Sequence, residues 1–378
     1  MHILKFYPVG NGDTSQIILE NGKRMLFDFR HLETSEDNDT PHINLKEQLR
    51  NELAAAERDD FDVVAFTHGD KDHIANSTTF FELRHAAKYQ GKGRIKIREL
   101  WVPAAMILET ASSDNQSDEY VVWRQEARYR LKQGQGIRVF SKPDKLKDWL
   151  EGEGLSVDDR RHLITDAGQL VPGFSLPNDG IEFFCHSPFI KHTDEGDDLR
   201  NAAALIFQVR FMVEGTQTDY WAVGDTESEI IEDIVRISKY HGNEDRLNWD
   251  ILNNPHHCSY LALSDEKGEK ETVPAPLVKT WLEHGNAECY IISSSNPIRH
   301  DQEAYEQTQP PHIQAKNCYL RYLHQNGGRR MLVTMEEPNT TKPEPIVIEI
   351  TGGGHNLKTA ITGAGAIISE PALRAGSQ

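Results

Sequence analysis

Eight residues, Thr67-His68-Gly69-Asp70-Lys71-Asp72-His73-Ile74, constrain this chain more than any other stretch. They follow the apolar run Val63-Val64-Ala65-Phe66, which reads as a buried strand, and place two histidines and two aspartates within six residues. Packing gives no reason for such a loop. His68 and Asp70 alternate along an extended backbone, so their side chains can converge on one cation. Asp72 and His73, just past the turn, can reach a second cation beside it. Neutral imidazole and ionised carboxylate are ligands that zinc, manganese and iron accept.

At 378 residues the chain can bury one large layered core with insertions, or two smaller cores. No stretch approaches the roughly 18 consecutive apolar residues that a membrane span needs, so no membrane partner is expected. The opening Met1-His2-Ile3-Leu4-Lys5-Phe6 reads as a strand rather than a signal peptide. Cys185, Cys258, Cys289 and Cys318 show neither CxxC spacing nor the density of a disulfide framework, which predicts buried thiols and a cytoplasmic location. The net charge of −18 argues against coating nucleic acid by bulk electrostatics, because an acidic surface repels phosphates. It leaves room for a phosphodiesterase, since two divalent cations concentrate about four positive charges at the reacting atoms. The segments Arg84 to Arg98 and Arg124 to Arg138 are expected as solvated helix faces, with a basic rim as the alternative.

Strands are predicted at His2 to Pro8, Thr14 to Leu19 and Arg24 to Phe29, separated by Gly10-Asn11-Gly12-Asp13 and by the hairpin signal Asn21-Gly22. Leu45 to Glu57 reads as a helix, with Leu45, Leu49 and Leu53 at four-residue intervals. A strand at Asp62 to Phe66, the ligand loop and a helix from Ser77 to Tyr89 follow. Residues 104 to 175 are charged and loop-rich and are expected as an insertion shaping a substrate rim rather than as core. Strands then recur at Gly180 to Cys185, Ala202 to Val213, Thr218 to Val223, Trp249 to Leu252, Glu288 to Ser293 and Pro345 to Ile350. Helices are placed at Ser228 to Tyr240 and Ala275 to His284. The domain is expected to end near residue 350, leaving a Gly/Ala-rich tail over 351–378 that is loosely attached.

Two cations need a bridging acid, and Asp225 is the candidate: in Trp221-Ala222-Val223-Gly224-Asp225 it caps an apolar strand and precedes a helix. A helix N-cap is its alternative role. Asn254-Pro255-His256-His257-Cys258-Ser259 again follows a strand, and paired imidazoles are costly to bury without partners. His257 is read as the ligand and His256 as a neighbouring or substrate contact, with the reverse assignment open. The loop Ser293 to His300 ends in a histidine able to protonate a leaving oxygen or hold a phosphoryl oxygen.

In this order the motifs resemble the metallo-β-lactamase fold superfamily, whose loop reads His-x-His-x-Asp-His. Asp70 stands where the second histidine usually falls, and this form is similar to the nuclease domain of the DNA-uptake protein ComEC. Val9-Gly10-Asn11-Gly12-Asp13, Met25-Leu26-Phe27-Asp28, Asn201 leading into Ala202 to Ile206, Val223-Gly224-Asp225, His256 to Ser259 and Ser293 to His300 resemble that group's further motifs. Departures are Cys258 for a glycine, Ala204 for a serine, and Phe29-Arg30 for Thr-Gly after Asp28.

The resemblance implies an α/β fold, an αββα sandwich with a helical insertion, holding two divalent ions (Zn or Mn) through His68, Asp70, Asp72, His73, Asp225 and His257. Its third-motif ligand falls on Asn201, with Asp198 and His186 as alternatives. The implied activity is metal-dependent hydrolysis of a phosphodiester in DNA, RNA or a nucleotide signal by a water between the cations, with Asp72, His256 and His300 at the chemistry. The rivals are hydrolysis of a small acyl substrate such as a lactone or thioester, and a non-enzymatic metal-fold subunit of a bacterial defence complex with protein partners from its operon.

Overall fold

The computed structural model describes residues 1–37, 39–109, 117–195 and 203–358. Strands β1 (His2–Phe6), β2 (Ser15–Ile18), β3 (Arg24–Phe27), β4 (Asp60–Ala65), β5 (Lys96–Pro103), β6 (Ile137–Phe140) and β7 (Ile164–Thr165) lie side by side in one sheet. Strands β8 (Ile181–Ser187), β9 (Ile206–Val213), β10 (Thr216–Val223), β11 (Trp249–Asn253), β12 (Gly285–Ser293) and β13 (Arg330–Val333) make the second sheet. β14 (Ile346–Thr351) returns to pair with β1 and carries β15 (Gly354–Leu357) on its outer edge.

Alternation along the strands builds the layers, because successive side chains point to opposite faces. Met25, Phe27, Val63 and Ala65 face Phe183, Phe207, Ala222, Ile251 and Ile292 of the other sheet, forming the central core. Their neighbours Leu26 and Val64 point outward and meet Leu45, Leu49 and Leu53 of the helix Leu45–Ala55. On the far side Trp221, Leu252 and Ile291 meet Ile231 and Ile234 of the helix Ser228–His241 and Trp281 of the helix Pro276–Leu282. Three cores between four layers make the αββα sandwich, and each fully buried leucine or phenylalanine contributes roughly 1.5–3 kcal/mol. β3 through β7 run parallel, as do β10 through β13. Loops leaving the carboxyl ends of parallel strands therefore gather at one edge, where open α/β sheets bind ligands.

Several expected elements differ. The helix expected over Ser77 to Tyr89 stops at Phe80, because the backbone N–H groups of Arg84 and His85 donate to the buried Glu126 carboxylate at 2.8 and 2.9 Å instead of continuing a helical ladder. Much of the stretch 104–175 is core rather than rim. Trp123, Ala127 and Leu131 of the helix Asp118–Gln133 are buried, and β6 and β7 extend the first sheet. Arg130 and Arg138 are buried too, Arg130 on Glu126, while Gln125, Lys132 and Gln133 are exposed, so only part of that segment is the solvated face expected. In the expected tail, β15 pairs with β14, and residues 359–378 lie outside the described ones. All four cysteines are buried and free, as expected. No helix among the described residues is long and apolar enough to cross a membrane.

Candidate metal centre

At the gathered edge, β3 ends in Asp28, whose φ of 55° turns its carboxylate toward the loop after β4. Asp28 Oδ1 accepts from the Thr67 amide at 2.7 Å, and Oδ2 accepts from the Thr67 hydroxyl at 2.6 Å. Oδ2 also lies 2.8 Å from His73 Nδ1. A carboxylate there commits Nδ1 as the donor and leaves the lone pair of Nε2 facing Asp225 Oδ1, 3.3 Å away. His257 is held in the same way. Its Nδ1 donates to the Ser294 carbonyl at 2.9 Å, and its Nε2 sits 3.3 Å from both Asp72 Oδ2 and Asp225 Oδ1.

His256, His257 and Cys258 all adopt positive φ, of 54°, 51° and 65°. Left-handed backbone costs a non-glycine residue roughly 1 kcal/mol or more, and three in succession are tolerated only where surrounding contacts fix them. The turn sends His257 inward and leaves His256 beside the cluster, with Nε2 3.5 Å from Asp225 Oδ2.

Two overlapping groups result. Asp13, His73, Asp225 and His257 each bring a ligand atom within 4.8 Å of the others, and His68, Asp72 and His73 do the same. The His68 and His73 rings lie 4.0 Å apart. Within this knot the buried atoms His68 Nε2, His73 Nε2, His257 Nε2 and Asp225 Oδ1 have no hydrogen-bond partner among the described residues. Buried polar atoms are otherwise almost always paired, so four converging lone pairs fit a divalent cation. Imidazole and carboxylate together are the donor set of zinc and manganese sites.

The electrostatics agree. Burial opposes charge on His73, but the Asp28 and Asp225 carboxylates outweigh it and raise the imidazole well above its ordinary value. Burial likewise opposes charge on His257, which Asp225 and Asp72 nevertheless push up to about 9. Burial works against ionised Asp225 and Asp72 as well, yet the neighbouring imidazoles hold both below the usual carboxylate range. His68 is driven down to about 3 by burial and by His73, which leaves it neutral and ready to ligate. A cluster that draws protons onto its imidazoles is one in which a cation can take their place.

Of the residues the sequence singled out, His68, Asp72, His73, Asp225 and His257 come together. Asp70 Oδ2 is 3.7 Å from His68 Nε2 on the more open side. His300 is exposed on the loop after β12, with Lys316 Nζ 3.4 Å from its ring. Asn201 and Asp198 lie outside the described residues. His186 is engaged elsewhere: it stacks on Trp221 at 4.7 Å and bonds to the Arg246 carbonyl at 3.0 Å, which removes it as the third-motif alternative. Asp13 and Asp28 were given no role in advance, although each directly follows a glycine loop or an apolar strand in a motif already noted. The wall beside His68 comes from Ala105, Met106, Glu109 and Tyr120. A Cβ on Gly69 would lie 1.9 Å from the Tyr120 ring, so only glycine fits there.

By sequence, the chain matches no family model and no curated protein. Among solved structures it is similar to unliganded yeast PDE1, at 9% identity over 88% of this chain and 98% of that one with a TM-score of 0.42. It is also similar to MEM-A1, a subclass B3 metallo-β-lactamase from a soil metagenome library, at 9% identity over 67% and 76% with a TM-score of 0.32. A diphosphatase from the PhnP family gives 12% identity over 67% and 73% with a TM-score of 0.26. Likenesses this distant assign neither family nor activity.

Proposed function

We propose that this chain is a metal-dependent hydrolase acting on phosphodiesters, as the metallo-β-lactamase fold resemblance of its motifs implies. The observation that supports it most is the convergence of unpartnered imidazole and carboxylate atoms at one sheet edge. His68, Asp70, Asp72, His73, Asp225 and His257 would hold two divalent ions, with Asp13 adjoining. By the resemblance of its motif, Asn201 would supply the third-motif ligand. When bound, the ions supply Lewis acidity and positive charge at the reacting oxygens. A donor set this rich in carboxylate is a hard one and suits manganese as well as zinc.

The chain's own residues do the rest. Asp28 and the Ser294 carbonyl fix the two inner imidazoles so that Nε2 faces the cluster. Asp72, partly exposed at the mouth, and His256, beside Asp225, face the side from which substrate arrives. His256 is assigned to hold or protonate a substrate oxygen, and His300 with Lys316 to a cationic position further out.

The test is cleavage of bis(p-nitrophenyl) phosphate and of labelled single- and double-stranded DNA and RNA, with manganese, zinc and magnesium in turn, against a lactone and a thioester panel. Phosphodiester turnover that disappears in the Asp72→Ala, His73→Ala double variant, with the circular dichroism spectrum kept, is the expected result. Turnover confined to acyl substrates, or retained in the double variant, contradicts the reading.

A further inference from the structure

Arg30 stands where the resembled nuclease domains carry glycine, and its surroundings give it a task. A Cβ on Gly12 would lie 1.9 Å from Arg30 Cδ and 2.6 Å from the Asp72 carbonyl oxygen. A Cβ on Gly10, at φ +82°, would lie 2.9 Å from Arg30 Nη1, 3.0 Å from His42 Nε2 and 3.2 Å from Asn296 Oδ1. The glycines thus admit a guanidinium between the β1–β2 loop and the backbone of Asp72. Asp72, in the cluster, acts on its charge, and Asp13 follows Gly12 in the loop.

Among the described residues, no carboxylate pairs with Arg30. Its Nη1 donates to the Val9 carbonyl, and no acidic group among the described residues forms an ion pair with it. Arg58, Arg130 and Arg210 are paired with Asp60, Glu126 and Asp219, whereas Arg94, Arg124 and Arg128 donate to backbone carbonyls as Arg30 does; what distinguishes Arg30 is its place against the Gly12 loop beside the Asp72 backbone. Burial lowers the pKa of Arg30 from its ordinary value, against a counteracting pull from Asp72, so its charge is held at a cost. Partly buried charge of this kind is normally compensated by a partner.

His42 faces the same loop. Thr40 Oγ1 accepts from the His42 amide at 3.3 Å and lies 3.0 Å from Nδ1. When that hydroxyl donates to Nδ1, the ring carries its proton on Nε2, the nitrogen beside the Gly10 loop. Asn11 braces the loop by accepting from the Asn296 amide at 2.8 Å and donating to the Pro310 carbonyl at 2.7 Å.

We infer that Arg30 and His42 form a subsite that binds an anionic phosphoryl oxygen of the substrate beside the metal cluster. The planar guanidinium offers paired N–H donors suited to phosphate, and the neutral imidazole adds one more. Such a subsite selects a phosphate ester over a neutral acyl substrate. The inference rests on the phosphodiesterase reading but can fail separately from it.

The experiment measures inorganic phosphate binding to the metal-loaded full chain by isothermal titration calorimetry, with metal content determined on the same samples. Arg30→Gln should weaken phosphate by on the order of tenfold or more, Arg30→Lys by less, and His42→Ala by about threefold, all with wild-type metal content. If Arg30→Gln does not fold, Arg30→Lys and His42→Ala carry the test. Unchanged phosphate affinity in the folded variants overturns the subsite, and so does metal lost in step with phosphate. Arg30-dependent phosphate binding without phosphodiester turnover keeps the subsite and rejects the phosphodiesterase. Phosphodiester turnover with an unaltered KM in Arg30→Gln does the reverse.

Discussion

Strand β10 carries a buried aspartate near its start and another just past its end, and the two are partnered in opposite ways. Asp219 Oδ1 accepts from Arg210 Nε at 2.8 Å, and Oδ2 accepts from Gln217 Nε2 at 2.8 Å. Its amide donates to Asp250 Oδ2 at 2.7 Å, whose other oxygen takes Asn286 Nδ2 at 3.0 Å. Each oxygen of these two carboxylates accepts a hydrogen bond, and Arg210 lies against Asp219. Asp225 is as well buried, yet Oδ1 has no hydrogen-bond donor among the described residues and faces the Nε2 atoms of two imidazoles held at 3.3 Å. Burial alone therefore does not mark a functional carboxylate. A closed network reads as structure, and converging unpaired ligand atoms read as a site.

The comparison can be broken by mutating each end. Asp225→Asn keeps the shape but removes a charge from the centre of the cluster, and should reduce turnover by at least about a thousandfold and strip bound metal. Metal analysis and initial rates check it. Asp219→Ala should act on the fold instead. Losing the buried Asp219 leaves Arg210 with only the exposed Asp245 against it and costs about 3 kcal/mol in denaturant unfolding, while turnover per folded molecule stays at the wild-type level. Equal loss of metal in both variants would erase the distinction.

Smaller effects sharpen it. Asp28→Ala removes the acceptor that orients His73, and competition with a chelator should show metal affinity lower by roughly 10- to 100-fold. His256→Gln, at the edge of the cluster, should lower turnover by about tenfold with metal content unchanged, because the ring contacts Asp225 from the open side.

The site was legible where it is local. His68, Asp72 and His73 lie in one short loop, and Asp225 and His257 each follow an apolar strand, so strand periodicity placed them at one edge before any contact was known. Asp13 and Asp28 were not legible, because their roles come from tertiary approach. Asp28 acts through Thr67 and His73, about 40 residues away, across a parallel strand pair. The αββα layering was legible through the family resemblance that the motifs carry, and the helix at 45 from the four-residue spacing of Leu45, Leu49 and Leu53. The end of the helix at Phe80 was not, since it depends on Glu126 capturing two backbone amides. The core role of 104–175 was hidden by charge: Arg130 and Glu126 look solvated in sequence and are buried because they pair with each other.

The most direct measurement is the metal content of the purified chain after equilibration with manganese or zinc and gel filtration, for wild type, Asp219→Ala and Asp225→Asn together. About two ions per chain in the first two and a marked loss in the third are predicted. A wild-type chain that retains no ion, or an Asp225→Asn chain that retains its full complement, would contradict the account.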